Sequence, residues 1–393
     1  MSVIADHVAA DKAPSTLSRR RGVAGLRLES RLVDGPEWDR VIAGFDDVCQ
    51  EQMHAFARRR WPGAAQEPRL FLLGGEIVGG AMVMVQPLPL RLGEIAVSKW
   101  APMLKDAGRP DADAIHAGMV EAMVAEYADR RGQMLSILPW AEVTPVNAAY
   151  ERLISRGFRR GSRLLFPNRY MVNLRLSDAE QRSSFDQAWR RQLNKAEKAG
   201  LEFEHAAPEA IGAFEALYAA MSERKQFADH SAYETVPDLM AIQDPQLRPE
   251  LFFVRHEGEL VAGALIFKGG ERAVYLYGAT NDRALPLRAG YFLHWHVIRW
   301  LRDNTRARWY DLGGTDGFHG LHQFKKGMVG EAGVIRPVPP VANYASRPLA
   351  YMMGAGAFAG RDLAQHARRI IGNWLNPRTR PTQAREASGE ATR

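Results

Sequence analysis

The sequence predicts an α+β protein built from two copies of one sheet domain, and three observations carry that prediction. Residues 70–83 read LFLLGGEIVGGAMV and residues 251–265 read LFFVRHEGELVAGAL, so Glu76, Val78, Gly80 and Ala81 match Glu259, Val261, Gly263 and Ala264 at one spacing. Each copy is an apolar strand, a turn carrying Gly and Glu, and a second apolar strand, which is the pattern of a β-hairpin. The segments that follow each copy agree in order and spacing, the mark of a duplicated unit.

After the first hairpin come a strand-like stretch (92–100), a helical stretch (111–131), a short strand (134–138), a helix (147–156) and a turn at Arg156-Gly157-Phe158. After the second come a strand (273–279), a helix (291–304), a short strand (309–312), a Gly-rich loop, a helical piece (321–326) and a turn at Lys326-Gly327-Met328. A meander followed by alternating strand and helix fits an α+β sheet domain better than a bundle or a sandwich. The expected organisation is a flexible leader (1–24), a first domain (25–165), a second domain (166–340), a C-terminal amphipathic helical tail (341–376) and a disordered tail (377–393).

At 393 residues, with 46% hydrophobic and 25% charged residues, the chain suits two soluble domains that each bury a core. No apolar run approaches the roughly 20 residues that span a bilayer. The N-terminal segment lacks the apolar stretch of a secretory signal, and the single Cys49 excludes an internal disulfide framework. A cytoplasmic protein is therefore expected. The net charge of +7 suits a phosphate-bearing partner and equally a basic protein without one.

Three segments carry candidate chemistry. Trp309 to Gly330 runs from a strand ending in Asp311, through Gly313-Gly314, to a short helix presenting Phe324, Lys325 and Lys326. Strand ends opening into Gly-rich loops bring backbone N–H groups to ligands, and a lysine there steadies a phosphate or a developing oxyanion. The same residues also read as a solvated basic turn that caps a helix. Residues 167–203 read as a strand, a Ser177 N-cap, and one helix burying Phe185, Trp189, Leu193 and Ala196. Its opposite face shows Arg190, Arg191, Lys195 and Lys198, either as a solvated face or as a surface for an RNA backbone. Residues 49–63 set three consecutive arginines beside Phe56 and Trp61, which suits a phosphate and a stacked ring, or simply a surface turn. No Ser-His-Asp arrangement emerges. His294 and His296, two apart on a helix, point different ways and make no metal site.

Taken in order, these segments resemble the Fem-type peptidyltransferases, the non-ribosomal aminoacyltransferases that build peptidoglycan cross-bridges. FPNRYMVNL stands where that family has an RPxxNMVLDL-like strand, and WRRQLNKAEKAGL where it has an RYNIRLAEKKGV-like helix. Tyr277-Gly278-Ala279-Thr280 matches a YGAS-like strand, FLHWHVIRWLRDNTRARWYDLGG an LQWEAIKWAKENGCKWYDFGG-like run, and GLHQFKKGMVG a GLYRFKKGFGG-like end. The likeness spans roughly 31–340. It implies two tandem GNAT-like domains and transfer from aminoacyl-tRNA to an amine of a lipid-linked or nucleotide-linked envelope precursor, with no cofactor and no metal.

By the resemblance, Lys325 assists transfer, with Asp106 as an acidic residue of the first domain's loop. Phe324, Lys326, Tyr277 and Asp311 are placed on substrate, and Arg60 on substrate phosphate. A second phosphate-binding position falls on His230, where the family has arginine, and the first domain's Arg-Gly-Pro block reads WAPMLKD here. Aligning Gly157 with Gly327 puts Ser155 opposite Lys325, so only the second domain carries chemistry. The rivals are an acyl-CoA-dependent GNAT enzyme and a non-catalytic scaffold. Against the first, residues 282–292 (DRALPLRAGYF) lack the usual pyrophosphate loop. The helix within 347–375 is expected to pack on the second domain or to lie on an anionic membrane surface.

Overall fold

The computed structural model describes residues 26–89, 92–225, 232–315 and 317–375. The expected leader, the tail after 376 and His230 lie outside them. Fifteen strands appear in chain order: β1 (Glu29–Leu32), β2 (Ala65–Leu73), β3 (Glu76–Pro87), β4 (Glu94–Lys99), β5 (Met103–Leu104), β6 (Met134–Leu138), β7 (Arg159–Arg160), β8 (Asn168–Asn173), β9 (Leu201–Ala206), β10 (Glu250–His256), β11 (Glu259–Phe267), β12 (Arg272–Thr280), β13 (Trp309–Asp311), β14 (Val334–Pro337) and β15 (Ala342–Tyr344). They form two sheets, β1-β2-β3-β4-β6-β15-β7 with β5 on β3, and β14-β8-β13-β12-β11-β10-β9.

The two hairpins repeat in detail. Gly74-Gly75 (φ 58° and 84°) and Glu257-Gly258 (φ 52° and 80°) turn with both central residues left-handed, the two-residue turn that matches strand twist. Each hairpin then carries a bulge at the same place. Val78 is skipped between β2 and β3, and Val261 between β10 and β11.

The sheets exchange strands. Within the second, the ladder runs β12-β13-β8-β14, and within the first, β4-β6-β15-β7. In the chain β8 follows β7 and β15 follows β14, so each domain keeps the first strand of a terminal pair and sends the next to its neighbour. The boundary expected at 340 therefore falls inside this exchange. Residues 342–344 belong to the first sheet, with Ala342 opposite Ile137 and Arg160.

Each sheet buries a face against its own helices. Around Phe252, Trp189, Trp295 and Tyr310 lies the second domain's core, and around Phe71, Met119, Tyr127 and Ile137 the first's. A third cluster joins the domains, with Trp38, Ile42 and Phe45 packed with Leu239, Phe267 and Val274. Burying each such side chain contributes about 1.5–3 kcal/mol.

Three local expectations are corrected. The helix predicted across residues 178–199 is two, Asp178–Ser184 and Gln187–Ala196, because Phe185 is extended (ψ 150°) between them. Arg190 closes that break by donating to the Phe185 carbonyl at 2.7 Å, so one member of the basic face is structural. Phe185, Trp189, Leu193 and Ala196 are buried as expected, and Ser177 makes a full capping box. Second, Lys326-Gly327-Met328 is not a turn. The helix His319–Val329 continues through it, and Gly327 is small because Trp189 lies against it. Third, the first turns of the C-terminal helix Pro348–Leu375 pack on the first domain, not the second. β15 returns the chain there, and Tyr351, Met353 and Phe358 rest on Leu88, Ile95 and Met134. Among the described residues no helix is long and apolar enough to cross a membrane.

Candidate active site

Lys325 sits on the inner face of the helix His319–Val329 and is only 5% exposed. Its Nζ donates to the carbonyl oxygens of Leu312 at 2.6 Å and Gly314 at 2.5 Å, at the mouth of the loop that follows β13. The ammonium also lies 5.8 Å from the centre of the Tyr275 ring. The loop is held from below. Asp311 is fully buried, and its Oδ1 accepts from the Gly313 N–H at 2.9 Å while Arg169 Nε donates to both carboxylate oxygens at 3.0 and 3.1 Å. Gly313 takes φ 75°, which a side chain would resist. Asp311 thus fixes the loop whose carbonyls hold Lys325.

Behind the lysine lies a buried polar and aromatic wall. His294 Nδ1 bonds the Tyr310 hydroxyl at 3.1 Å, and its ring meets Tyr275 edge-on at 4.9 Å and Phe324 at 5.6 Å. Burial, reinforced by the Lys325 charge, lowers the His294 pKa to about 3, so the ring is neutral near pH 7. Burial likewise pushes the Tyr275 and Tyr310 hydroxyls well up, with the neighbouring tyrosine adding to Tyr310, so neither carries charge. Lys325 therefore supplies a cation to a site whose other side chains on this wall are neutral.

The sheet opens beside it. β12 pairs with β13 only over Arg272–Val274, although β12 runs on to Thr280. Past that point β13 has ended at Asp311, which leaves the rest of β12 without a ladder partner on that side, and a bulge that skips Leu276 re-aims β12. Tyr275 consequently faces Lys325, whereas Tyr277 faces the other way, among Phe214, Tyr218 and Tyr233. The first domain has no such opening, since β4 and β6 pair along all of Ile95–Lys99. Helix ends also revise the register between the copies. Gly157 and Gly330 end corresponding helices, and counting back from them sets Arg152, not Ser155, opposite Lys325.

The first domain closes the seam in front. Arg169 lies 5.8 Å over the Trp100 ring, Trp100 stacks on Trp140 at 4.7 Å, and Arg272 caps Trp140 at 4.7 Å while donating to the Ala141 carbonyl at 2.9 Å. Trp100 holds φ 56°, a costly conformation for so bulky a residue. Lys99 pairs with Glu51 and lies 5.1 Å over Trp61.

The structure thus joins Lys325, Asp311 and Phe324 in one place and leaves Tyr277, Lys326, Asp106 and Arg60 outside it. Phe324 packs on Tyr291 and His294. Lys326 is exposed on the far side of its helix. Asp106 is exposed in the loop after β5, where it accepts from the Gly108 N–H at 2.9 Å. Arg60 pairs with Glu234 at 2.6 Å and Arg58 with Asp238 at 3.2 Å, so the arginine triplet bridges the two domains. Arg169, Trp100 and Tyr275 were missed. Their partners stand far off in sequence, and only the WYD strand hinted at a carboxylate in need of a cation.

Residues 183–326 match the acetyltransferase (GNAT) domain, a stretch that contains both Asp311 and Lys325. Among solved structures, FemX superposes with a TM-score of 0.66 at 17% identity, over 83% of this chain and 100% of its own. The chain has the tandem GNAT fold. A conserved protein of unknown function from Bacteroides thetaiotaomicron (TM-score 0.53, 12% identity, 81% of this chain and 98% of its own) shares it. So does L-PGS from Bacillus licheniformis (0.51, 14%, 82% and 96%). No curated protein is similar enough in sequence to match. The second domain is of the acyltransferase type, and the Fem-type resemblance read from short motifs has its counterpart in the fold.

Proposed function

We propose that the chain forms amide bonds by transferring an aminoacyl group from aminoacyl-tRNA to an amine of a lipid-linked or nucleotide-linked envelope precursor of the muropeptide kind. The observation that carries this reading is the buried Lys325, whose Nζ meets the carbonyl oxygens of the loop that follows β13. The amine nitrogen attacks the ester carbonyl, a C–N bond forms, the C–O bond to the tRNA ribose breaks, and the proton lost by the amine ends on the released hydroxyl or in solvent. Lys325 offsets the negative charge that builds on the carbonyl oxygen. The opening between β12 and β13 holds ester and amine together away from bulk water. The ester is already activated, so the step needs neither ATP nor a metal. Since charged tRNA and such precursors meet in the cytoplasm, the protein acts there, at the membrane face when the precursor is lipid-linked.

The acyl-CoA-dependent rival is favoured by the match to the acetyltransferase (GNAT) domain, which speaks for acyl transfer but not for the donor. The test is transfer from a pool of charged tRNAs, then from acyl-CoAs, to muropeptide and amino-lipid acceptors. Saturable turnover with acyl-CoA that is indifferent to charged tRNA would overturn the tRNA reading.

A further inference from the structure

A cavity of about 160 Å3 lies where the two linkers that exchange strands cross, with Arg160, Arg163 and Arg336 on its walls. The linkers are tied together by three backbone bonds, Gly161 N–H to the Val341 carbonyl at 2.7 Å, Val341 N–H to Ser162 at 2.9 Å and Val338 N–H to Pro167 at 2.8 Å. The cavity is therefore built into the fold.

Its lining polar groups include three cations and the Tyr150 hydroxyl, beside Glu142, Thr144 and Asn147, which are engaged within the protein. None of the three arginines makes an ion pair among the described residues. Arg336 donates only to backbone, the Thr144 carbonyl at 3.3 Å and its neighbour Ile335 at 3.2 Å. The one lining carboxylate, Glu142, is engaged by the Ala149 N–H at 3.0 Å and the Thr144 hydroxyl at 3.1 Å. Tyr150 is 4% exposed, and its buried hydroxyl has no hydrogen-bond partner. Such a buried hydroxyl stays uncompensated unless something binds it. Burial raises the Tyr150 pKa, and the charges of Arg160 and Arg163, on the same cavity, lower it. Pro337, Pro339 and Pro340 form the opposite wall, which offers no N–H donors. Recognition thus falls to three forked cations and a phenol, a donor set suited to phosphate oxygens.

We propose that this cavity binds a phosphate ester of compact form, with Arg160, Arg163 and Arg336 on its oxygens and the Tyr150 hydroxyl donating to one of them. A cavity of this volume, with three prolines on its lining, suits one or two linked phosphates rather than the run of phosphates along a polynucleotide. The site adjoins the transfer seam, because Arg336 is the ladder partner of Arg169. It thereby deepens the proposed function by assigning a place to a phosphate-bearing substrate.

Calorimetric titration of the full chain with inorganic pyrophosphate, a nucleoside diphosphate and uncharged tRNA tests it. The expected result is saturable binding of pyrophosphate and the diphosphate, weakened at least tenfold in Arg160→Ala/Arg163→Ala. Tyr150→Phe should weaken binding several-fold without lowering Tm, since the lost hydroxyl has no partner in the free protein. Lys326→Ala, exposed and outside the site, should bind as the unaltered protein does, and because binding is read without turnover, failure of the transfer reading leaves this result standing. Absence of saturable binding, or binding untouched by the double variant, overturns the proposal. Binding of tRNA alone that depends on Arg163 overturns it too, by assigning the arginines to a polynucleotide.

Discussion

Replacing Lys325 by methionine keeps most of the side-chain volume and removes the charge. It strips the Leu312 and Gly314 carbonyl oxygens of their 2.6 and 2.5 Å donor. Each buried acceptor left unpaired costs about 1–3 kcal/mol, so stability should fall by a few kcal/mol. Loss of a charge-stabilising donor from a transition state costs about 2.7–4 kcal/mol, or roughly 10²–10³ in kcat. The assay is single-turnover transfer with the donor and acceptor found by the pooled screen, run beside thermal unfolding at a temperature where the variant stays folded. The expected outcome is a kcat loss of that size with KM near its starting value. Lys325→Arg, which keeps the charge in a bulkier group, should recover part of it. A folded Met variant that retains kcat within about threefold refutes the reasoning and favours a non-catalytic scaffold.

Asp311→Ala should destabilise the protein by about 3–5 kcal/mol, because it leaves Arg169 half-buried without its carboxylate and frees the Gly313 turn. Asp311→Asn, which still accepts from Gly313, should cost less, and equal Tm losses in the two variants would contradict this. Burial holds the His294 pKa down at about 3 in the folded protein, against about 6.5 for a free imidazole, so the unfolded chain binds the extra proton between those pH values. Its contribution is therefore complete above about pH 6.5 and is lost as pH falls, by about 2 kcal/mol at pH 5. Urea unfolding at pH 5 and 7 should show a smaller pH difference in His294→Gln than in the unaltered protein, and an unchanged difference would count against it. Ending the chain after Pro340 removes β15 and should unfold the first domain, whereas ending it after Ser346 should leave the domain folded. Equal far-UV spectra and melting for the two truncations would show that β15 is dispensable.

The duplicated hairpin was legible because two local signals coincide in it, period-two apolar residues and a Gly-bearing turn. β15 was not, because three residues, Ala342 to Tyr344, carry no periodicity, and the strand is defined by the slot that β6 and β7 leave. Gly327 misled for a related reason. Glycine marks turns in sequence, but here it marks close approach of the Trp189 ring, a contact from another helix. At the site, Lys325 and Asp311 were reachable through motif resemblance. Arg169 was not, since its meaning comes from Asp311, 142 residues on. The arginine triplet at 58–60 suggested phosphate by composition, and the acidic residues Glu234 and Asp238 that claim it lie in the other domain.

One fold used twice need not give two sites, and the ladder lengths say why. A parallel pair closed along its whole length, as β4 with β6, satisfies its own backbone and leaves no gap for a reacting group. β13 ends after three residues at the Asp311–Gly313 turn, while β12 runs on past a bulge at Leu276 without a partner on that side. The opening would be a liability without a polar group to meet the loop carbonyls, and Lys325 meets them. The first domain, its own sheet closed, contributes from outside, setting Trp100 against Arg169 and so bracing the carboxylate that shapes the loop. The exchanged strands make this division possible. With β8 and β15 crossing in opposite directions, neither domain completes its sheet alone, so the seam through which Trp100 acts is fixed by both cores at once.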